Sequence, residues 1–398
     1  MKRFVVVRYH EIGLKGKNAP FFFNQLLANL RKACYGLGVE GVRRGHAMAV
    51  LSLSPEAEWE QLKERLGKVF GVARFSLAFH TEATLEALEV AILEELKRLT
   101  FSSFRITAKR EDKAFLLTSQ DINRELGASI QRATGARVDL HHADLDIAVD
   151  ILPREAYFSF QWAPGPGGLP VGTGGKVICL LSGGIDSPIA ALRMMKRGCQ
   201  VVFVHFHGFP LVEGTSRHKA AELVEILNQY QYSSQLHLIP FGDIQKQIIV
   251  ATPPPYRVLL YRRMMLRIAG EVARRENAGA LVTGDSLGQV ASQTLENLAV
   301  IDKAASMLVL RPLIGMNKQE IIDQALLAGT YETSIIPDED CCQLFVPKHP
   351  VTRGSLEEVH SLEVNLDIPA LVAQGMVGAE VKEFSVPEGL AVGPSPII

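Results

Sequence analysis

Apolar and polar positions fall into two textures along the 398 residues. In the first part, short strands and amphipathic helices come in small groups. The β-branched run at 4–7 predicts a strand, and a polar loop follows over 11–18 with Lys15, Gly16 and Lys17. Helical spacing over 20–35 puts Phe22, Leu26, Leu27 and Leu30 on one side. A strand at 47–53 and a helix at 56–69 complete an α+β unit. A similar unit follows: helix 85–99, strand 103–109, helix 119–134, and strands 145–151 and 157–162. Within LDIAVDI, strict alternation places Asp146, Ala148 and Asp150 on one face, where a solvated strand face is favoured over a metal site.

Residues 163–175 are dominated by glycine and proline (APGPGGLPVGTGG) and read as a linker. The glycines invite comparison with a phosphate loop, but no apolar strand feeds into them and no helix pattern leaves. Beyond the linker the texture changes to repeated strand–helix alternation. Strands are predicted at 177–181, 201–205, 236–240 and 280–283. Helices are predicted at 188–197, 216–228 and 256–276, with a further helical stretch after 240. Short apolar strands alternating with helices predict a doubly wound parallel sheet covered on both faces.

The stretch 177–188, VICLLSGGIDSP, carries the strongest chemical signal. An apolar strand runs into Ser182-Gly183-Gly184, and Pro188 sits in the first turn of the next helix, where its missing N–H costs nothing. Two glycines let backbone N–H groups approach an oxyanion, and the helix N-terminus favours negative charge there. Ser182 and Ser187 add hydroxyls, and Asp186 can hold Mg²⁺ or fix the loop. There is no Walker motif in the chain. His205 and Phe206 end the second strand of this half. His205 and His207 share a face but lack an evident third ligand, so packing near a nucleotide is the better reading. Arg262, Arg263 and Arg267 lie on a basic helix and are expected on its solvated side. Gly284-Asp285-Ser286 follows a strand, and Gln293 opens the next helix.

Charge and cysteine content sharpen this. Lys and Arg total 42 against 43 Asp and Glu, a net of −1, which excludes a polycation and a charge-driven disordered chain. Residues 1–165 carry a net of +3 and the remainder −4, a weak tilt of the first part toward polyanions. Five cysteines argue for a reducing compartment rather than a disulfide framework. With no signal-peptide pattern and no apolar run of membrane-spanning length, a cytoplasmic protein is expected. Cys34, Cys179 and Cys199 lie on apolar segments and are expected to be buried. Cys341 and Cys342 follow Asp338-Glu339-Asp340, a loop composition that suits neither a core nor a zinc site.

SGGIDS resembles the loop of the PP-loop ATP pyrophosphatases. Taken with RYHEIGLKGKN, GGLPVGTGGKV, VFVHFHG, TGDSLGQVASQT, RPLIGMNKQEII and EDCCQLFVPKHP, the chain resembles the bacterial tRNA 4-thiouridine synthetases over most of its length. The resemblance implies a ferredoxin-like domain at 1–57, a tRNA-binding THUMP domain at 58–162, and an adenylating PP-loop domain at 176–398. It implies ATP contacts at Leu180, Leu181, His205, Phe206, Arg262, Gly284 and Gln293, with pyrophosphate in the loop from Ser182 through Gly183, Gly184 and Asp186 to Ser187. It also implies a required Lys318, a sulfur-carrying Cys341, and ATP with Mg²⁺ as cofactors. The reaction implied is adenylation of O4 of uridine 8 in tRNA, followed by attack of a cysteine persulfide at C4.

Some members carry a rhodanese-like domain after this point, for which a chain ending at Ile398 leaves no room. A cysteine desulfurase is therefore expected to supply the persulfide, and the thiamine role associated with that domain is put in doubt. tRNA is the expected partner, with a homodimer left open and no membrane. Two other classes compete. An amidating PP-loop ligase would need a glutamine-hydrolysing part, for which the first 160 residues offer no nucleophile motif. A non-catalytic RNA binder has no use for an intact pyrophosphate loop.

Overall fold

The structure is a computed structural model and describes residues 2–45, 47–110, 115–211, 215–337 and 349–385. The chain divides into two compact units, Met1–Leu169 and Pro170–Ile398. The first unit holds strands β1 (Arg3–Arg8), β2 (Val39–Gly45), β3 (Met48–Leu53), β4 (Arg74–Thr81), β5 (Ser103–Arg110), β6 (Arg137–Val138), β7 (Leu145–Ile151), β8 (Ala156–Ser159) and β9 (Ala163–Pro164). Its helices are α1 (Ala19–Ala33), α2 (Trp59–Leu66), α3 (Leu85–Leu96) and α4 (Ser119–Thr134). The strands form one sheet in the order β2-β3-β1-β4-β8-β7-β5-β6, with β9 on β4. β4 pairs antiparallel with β1 on one side and with β8 on the other, so a single sheet runs through both predicted α+β groups.

Four of these strands lie outside the sequence expectation: β2, β4 and the two-residue β6 and β9. β2 is a half-exposed edge with no apolar face, so it leaves no alternating signal. β4 does alternate, with Phe75, Leu77 and Phe79 set against Ser76, Ala78 and His80, and its pattern was legible. On α1 the inward stripe is Phe23, Leu26, Leu27 and Leu30, an i, i+3, i+4, i+7 set; Phe22 is only half-buried. The polar loop before it folds into 3₁₀ turns over Glu11–Asn18 around buried Ile12. Asp146 and Asp150 form no solvated face. Asp150 is buried and paired with Arg8, and Asp146 accepts from Arg105 at 2.6 Å and from Thr107 at 3.1 Å. Among the described residues no group of three or more His, Cys, Asp or Glu is placed to hold a metal.

The Gly/Pro-rich stretch contains the boundary between the units. Its first residues are held to the first unit: the Gly165 N–H donates to the Ala73 carbonyl at 2.9 Å. A Cβ at Gly165 would lie 2.3 Å from the Val72 carbonyl oxygen, which fixes glycine there.

The second unit holds β10 (Lys176–Leu180), β11 (Gln200–His207), β12 (Ser233–Pro240), β13 (Ala280–Val282), β14 (Leu308–Leu310) and β15 (Glu380–Ser385). Its helices are α5 (Asp186–Lys196), α6 (Thr215–Gln231), α7 (Gly242–Ala251), α8 (Arg257–Arg275), α9 (Leu295–Asp302), α10 (Lys318–Ala328), α11 (Tyr331–Ser334), α12 (Leu356–Glu363) and α13 (Ile368–Val377). The sheet order is β14-β13-β10-β11-β12-β15. The first five strands are parallel, as expected, and β15 closes the edge antiparallel to β12.

Helix α8 is the spine of this unit. Leu259, Leu260, Tyr261, Met264, Ile268 and Val272 are buried in the main core. Arg262, Arg263 and Arg267 are not on a solvated face. Arg263, only 1% exposed, donates from Nε and Nη2 to the two oxygens of Glu363 at 2.8 and 2.7 Å, and also reaches the Val300 carbonyl. Arg267 grips the same carboxylate at 2.7 and 2.9 Å. Burial pushes the Glu363 carboxyl up, but the two guanidiniums outweigh it and hold it down at about 2. The sequence hides this, because α8 and α12 are about a hundred residues apart and the pairing exists only after folding.

A depressed carboxylate stabilises the fold above its ordinary pKa and loses that contribution as pH falls through its folded value. Glu363→Gln is therefore expected to cost about 3 kcal/mol at pH 7, the scale for removing one partner of a buried pair. The gap to the parent should shrink between pH 4.5 and about 2. Urea denaturation followed by far-UV circular dichroism at pH 7 and pH 3 measures both.

Candidate active site

The topology decides where a ligand can sit. The chain leaves β10 for β11 on one side of it and later returns to place β13 on the other. The order reverses at β10, and in open parallel sheets the crevice outside the carboxyl ends at such a point binds ligands. There a cavity of about 250 Å³ opens. Leu180 and Leu181 from the end of β10, Phe206 from β11, and Val258 and Met265 from α8 give it apolar walls. Ser182, Asp186 and Ser187 line one part; Arg262, Thr283, Gly284, Asp285, Ser292 and Gln293 line the rest.

The loop between β10 and α5 is tied across its base. The Ser182 N–H donates to Ser187 Oγ at 2.8 Å, the two serine hydroxyls lie 3.0 Å apart, and the Gly184 N–H points at Ser182 Oγ at 3.3 Å. Asp186 opens α5. Its Oδ1 accepts from Lys318 Nζ at 2.7 Å and its Oδ2 from Gln289 Nε2 at 3.0 Å. Lys318 stands at the first position of α10, capped by Asn317, whose side chain accepts from the Glu320 N–H in a reciprocal capping box. The sequence placed Lys318 and Asp186 in separate motifs; the fold makes them an ion pair. Gln289 carried no separate signal.

On the far side of the cavity a buried carboxylate organises the polar groups. Asp285 Oδ1 accepts from Arg262 Nη2 at 2.5 Å and Gln293 Nε2 at 3.2 Å. Oδ2 accepts from the Thr283 hydroxyl at 2.7 Å and Arg311 Nε at 3.1 Å. Burial pushes this carboxyl up, yet Arg262, Thr283 and Arg311 together hold it below the usual carboxylate range. Arg262 also donates to the Ser292 carbonyl and hydroxyl at 3.3 and 3.2 Å. Gln293 lies in a 3₁₀ turn, Ala291–Gln293, rather than opening α9. Its amide oxygen is buried with no hydrogen-bond partner among the described residues.

Of the expected site residues, Leu180, Leu181, Ser182, Asp186, Ser187, Phe206, Arg262, Gly284 and Gln293 all border this one cavity. His205 does not border it. It is buried behind Leu181, with Nδ1 2.9 Å from the Leu181 carbonyl. His207 is buried too, and burial, with His205 and Arg217 nearby, drops its pKa to about 4. Cys34, Cys179 and Cys199 are buried, and burial pushes the thiols of Cys34 and Cys179 up to about 12. Cys341 and Cys342 lie outside the described residues.

The cavity's residues suit a nucleotide. There are apolar walls for a base, loop N–H and hydroxyl donors for phosphate, a guanidinium, and an amide oxygen lacking a donor. Family models match the chain in three consecutive stretches: a ThiI ferredoxin-like domain over residues 4–76, a THUMP domain over 81–161, and a thiamine biosynthesis protein (ThiI) model over 172–368. It is 52% identical over 383 residues to a probable tRNA sulfurtransferase of Thermus thermophilus, covering 96% of this chain and 94% of that one. The chain belongs to the tRNA sulfurtransferase family. A second member, from Moorella thermoacetica, is 44% identical over 95% of this chain and 96% of its own. Among solved structures, a 4-thiouridine synthetase–RNA complex with bound ATP superposes with a TM-score of 0.88 at 34% identity. That match covers 97% of this chain and 100% of that one. The fold is thus the family's: ferredoxin-like and THUMP domains with a PP-loop domain. No helix among the described residues is long and apolar enough to cross a membrane.

Glycine at 284 is what lets the two sides of this family's cavity meet. A Cβ there would lie 2.7 Å from the Ser187 nitrogen and 2.9 Å from its Cα. Gly284→Ala must push the first turn of α5 away. It should cost about 1–3 kcal/mol, as overpacking does, and disturb the Ser182–Ser187 pairing. A lowered thermal midpoint by circular dichroism is expected; a parental midpoint would show that the turn yields freely.

Proposed function

We propose that this chain uses ATP to convert the uridine at position 8 of tRNA to 4-thiouridine. The observation that carries the reading is the cavity at the β10 switch point, walled by the SGGIDS loop on one side and by Arg262, Asp285 and Gln293 on the other, in a member of this family. The solved relative's complex with RNA and ATP supports it. In this reading the adenosine lies against Leu180, Leu181, Phe206, Arg262, Gly284 and Gln293. The β and γ phosphates lie in the loop from Ser182 to Ser187.

The uridine O4 attacks the α-phosphorus, and the bond to the bridging oxygen breaks as pyrophosphate leaves. The protein's task is to stabilise charge that grows on the departing phosphates. Ser182 and Ser187 hydroxyls, backbone N–H groups and the start of α5 are pre-aligned for it. Lys318 stands beside Asp186 with a cation that can move to phosphate. Mg²⁺ needs only one or two protein carboxylates when phosphates complete its shell, and Asp186 fits that role; bound there, it would neutralise phosphate charge. Release of Asp186 from Lys318 would serve both ends at once.

In the second step the terminal sulfur of a persulfide on Cys341 attacks C4, and AMP leaves. A second thiol then breaks the sulfur–sulfur bond, freeing 4-thiouridine. Cys342, next in sequence, and Cys199 are the candidates within the chain. Cys199 is buried with its thiol 3.4 Å from the Gly174 carbonyl, and burial raises its pKa, so it is a poor nucleophile. A cysteine desulfurase would load Cys341. We read 1–57 and 58–162 as the ferredoxin-like and THUMP portions that hold tRNA, 163–175 as the connecting stretch, and 176–398 as the adenylating domain.

Incubation of tRNA with ATP, Mg²⁺ and a persulfide donor, followed by nucleoside mass analysis, tests the reading. Parent protein should yield 4-thiouridine; none would refute it. Cys341→Ala should abolish the product while leaving tRNA-dependent pyrophosphate release within about twofold, because the thiol acts only after adenylation. Asp186→Ala should lower pyrophosphate release by at least about a hundredfold, the scale for losing one electrostatic group at a transition state.

A further inference from the structure

The adenosine side of the cavity is built around one carboxylate that the reading above leaves without a task. Asp285 is 3% exposed and all its acceptor capacity is spent on protein donors, so it has nothing left for a ligand or a metal. Three of the four donors, Arg262, Thr283 and Gln293, line the cavity, and Arg262 and Gln293 share one carboxylate oxygen, Oδ1. Thr283 and Arg311 hold the second oxygen, Oδ2, and Arg311 does so from outside the cavity lining. Arg311 in turn forms a bidentate pair with Asp302 at 2.5 and 3.0 Å, so charges alternate outward from the cavity: Arg262, Asp285, Arg311, Asp302.

The consequence falls on Gln293. A side-chain amide can present either its NH₂ or its oxygen to a given neighbour, and the two are nearly isosteric. An ionised carboxylate accepts only. Contact with Asp285 therefore commits the Gln293 amide nitrogen inward, and its oxygen becomes the buried acceptor without a partner. Leaving such an atom unpaired is costly, and a ligand that donates to it recovers that cost.

We propose that Asp285 is a positioning residue that sets the hydrogen-bond polarity of the adenosine site. It locks Gln293 as an acceptor for a donor group of the nucleoside and holds Arg262 beside it. The inference rests on the nucleotide reading of the cavity. It adds that recognition of the nucleoside, not of the pyrophosphate, depends on a carboxylate whose own hydrogen bonds all go to protein donors.

Calorimetric titration of the full chain with AMP and, separately, with inorganic pyrophosphate tests this. Asp285→Asn should weaken AMP binding at least about tenfold, since an asparagine can donate and frees the Gln293 amide to turn. Pyrophosphate binding should stay within twofold. The double variant Asp285→Asn with Gln293→Glu should recover much of the loss, because the new amide donates to one glutamate oxygen and leaves the other as acceptor. Unchanged AMP affinity in Asp285→Asn overturns the proposal. So does parallel loss of AMP and pyrophosphate binding, which marks a merely structural role.

If Asp285→Asn does not fold, Arg311→Lys takes its place. It borders no part of the cavity, yet it should weaken AMP and spare pyrophosphate; equal affinities would overturn the proposal. With the parent protein, purine riboside monophosphate and 2′-deoxy-AMP distinguish the exocyclic amine from the ribose hydroxyl as the donor. Weakened binding of either supports the acceptor role, and AMP-like binding of both overturns it. Failure of the parent to bind AMP would sink the nucleotide reading itself, and is seen before any variant is made.

Discussion

The nucleotide end of the second unit depends on the closeness of two backbones. Where the chain leaves β13, Gly284 lies against Asp186 and Ser187 with no room for even a methyl group. That approach brings the start of α5, with its unpaired N–H groups, to the residues that follow β13. Neither side is a site alone. The loop supplies donors for phosphate, and the β13 side supplies the buried carboxylate that arranges Arg262 and Gln293.

Charge inside this unit is handled by pairing, not by exposure. The Arg263–Glu363–Arg267 cluster and the Arg262–Asp285–Arg311 cluster each place two guanidiniums around one carboxylate, and both use α8. One face of that helix looks into the cavity and the next fastens a distant helix. A buried guanidinium left unpaired would be costly, so each carboxylate is a condition of the other side's burial.

The division between what the residues announced and what they concealed follows from distance along the chain. The phosphate loop was legible because strand, glycines and helix start are contiguous, so local chemistry specifies local shape. The parallel sheet was legible from apolar runs alternating with helices. Asp285 was visible as a residue after a strand, but its office was not: its partners at 262, 283, 293 and 311 come from four separate segments. The α8 arginines were misread for the same reason, since a basic helix face looks solvated until residue 363 is known to return to it. The edge strands β2 and β15 were missed because pairing on one side only leaves little hydrophobic signature.

The tie between α8 and Glu363 has a temporal side. Synthesis runs from the amino end, and domains generally fold as they emerge. The first unit is complete by about residue 169 and can fold while the rest is still being made. The second cannot. Its central helix carries an arginine that stays buried only if a glutamate a hundred residues later has arrived, and its last sheet strand lies at 380–385. The phosphate loop is made early yet stands without its full scaffold until residues 363 and 380–385 have been added. The first unit is thus finished well before the second is complete, an order of assembly written into a single buried ion pair.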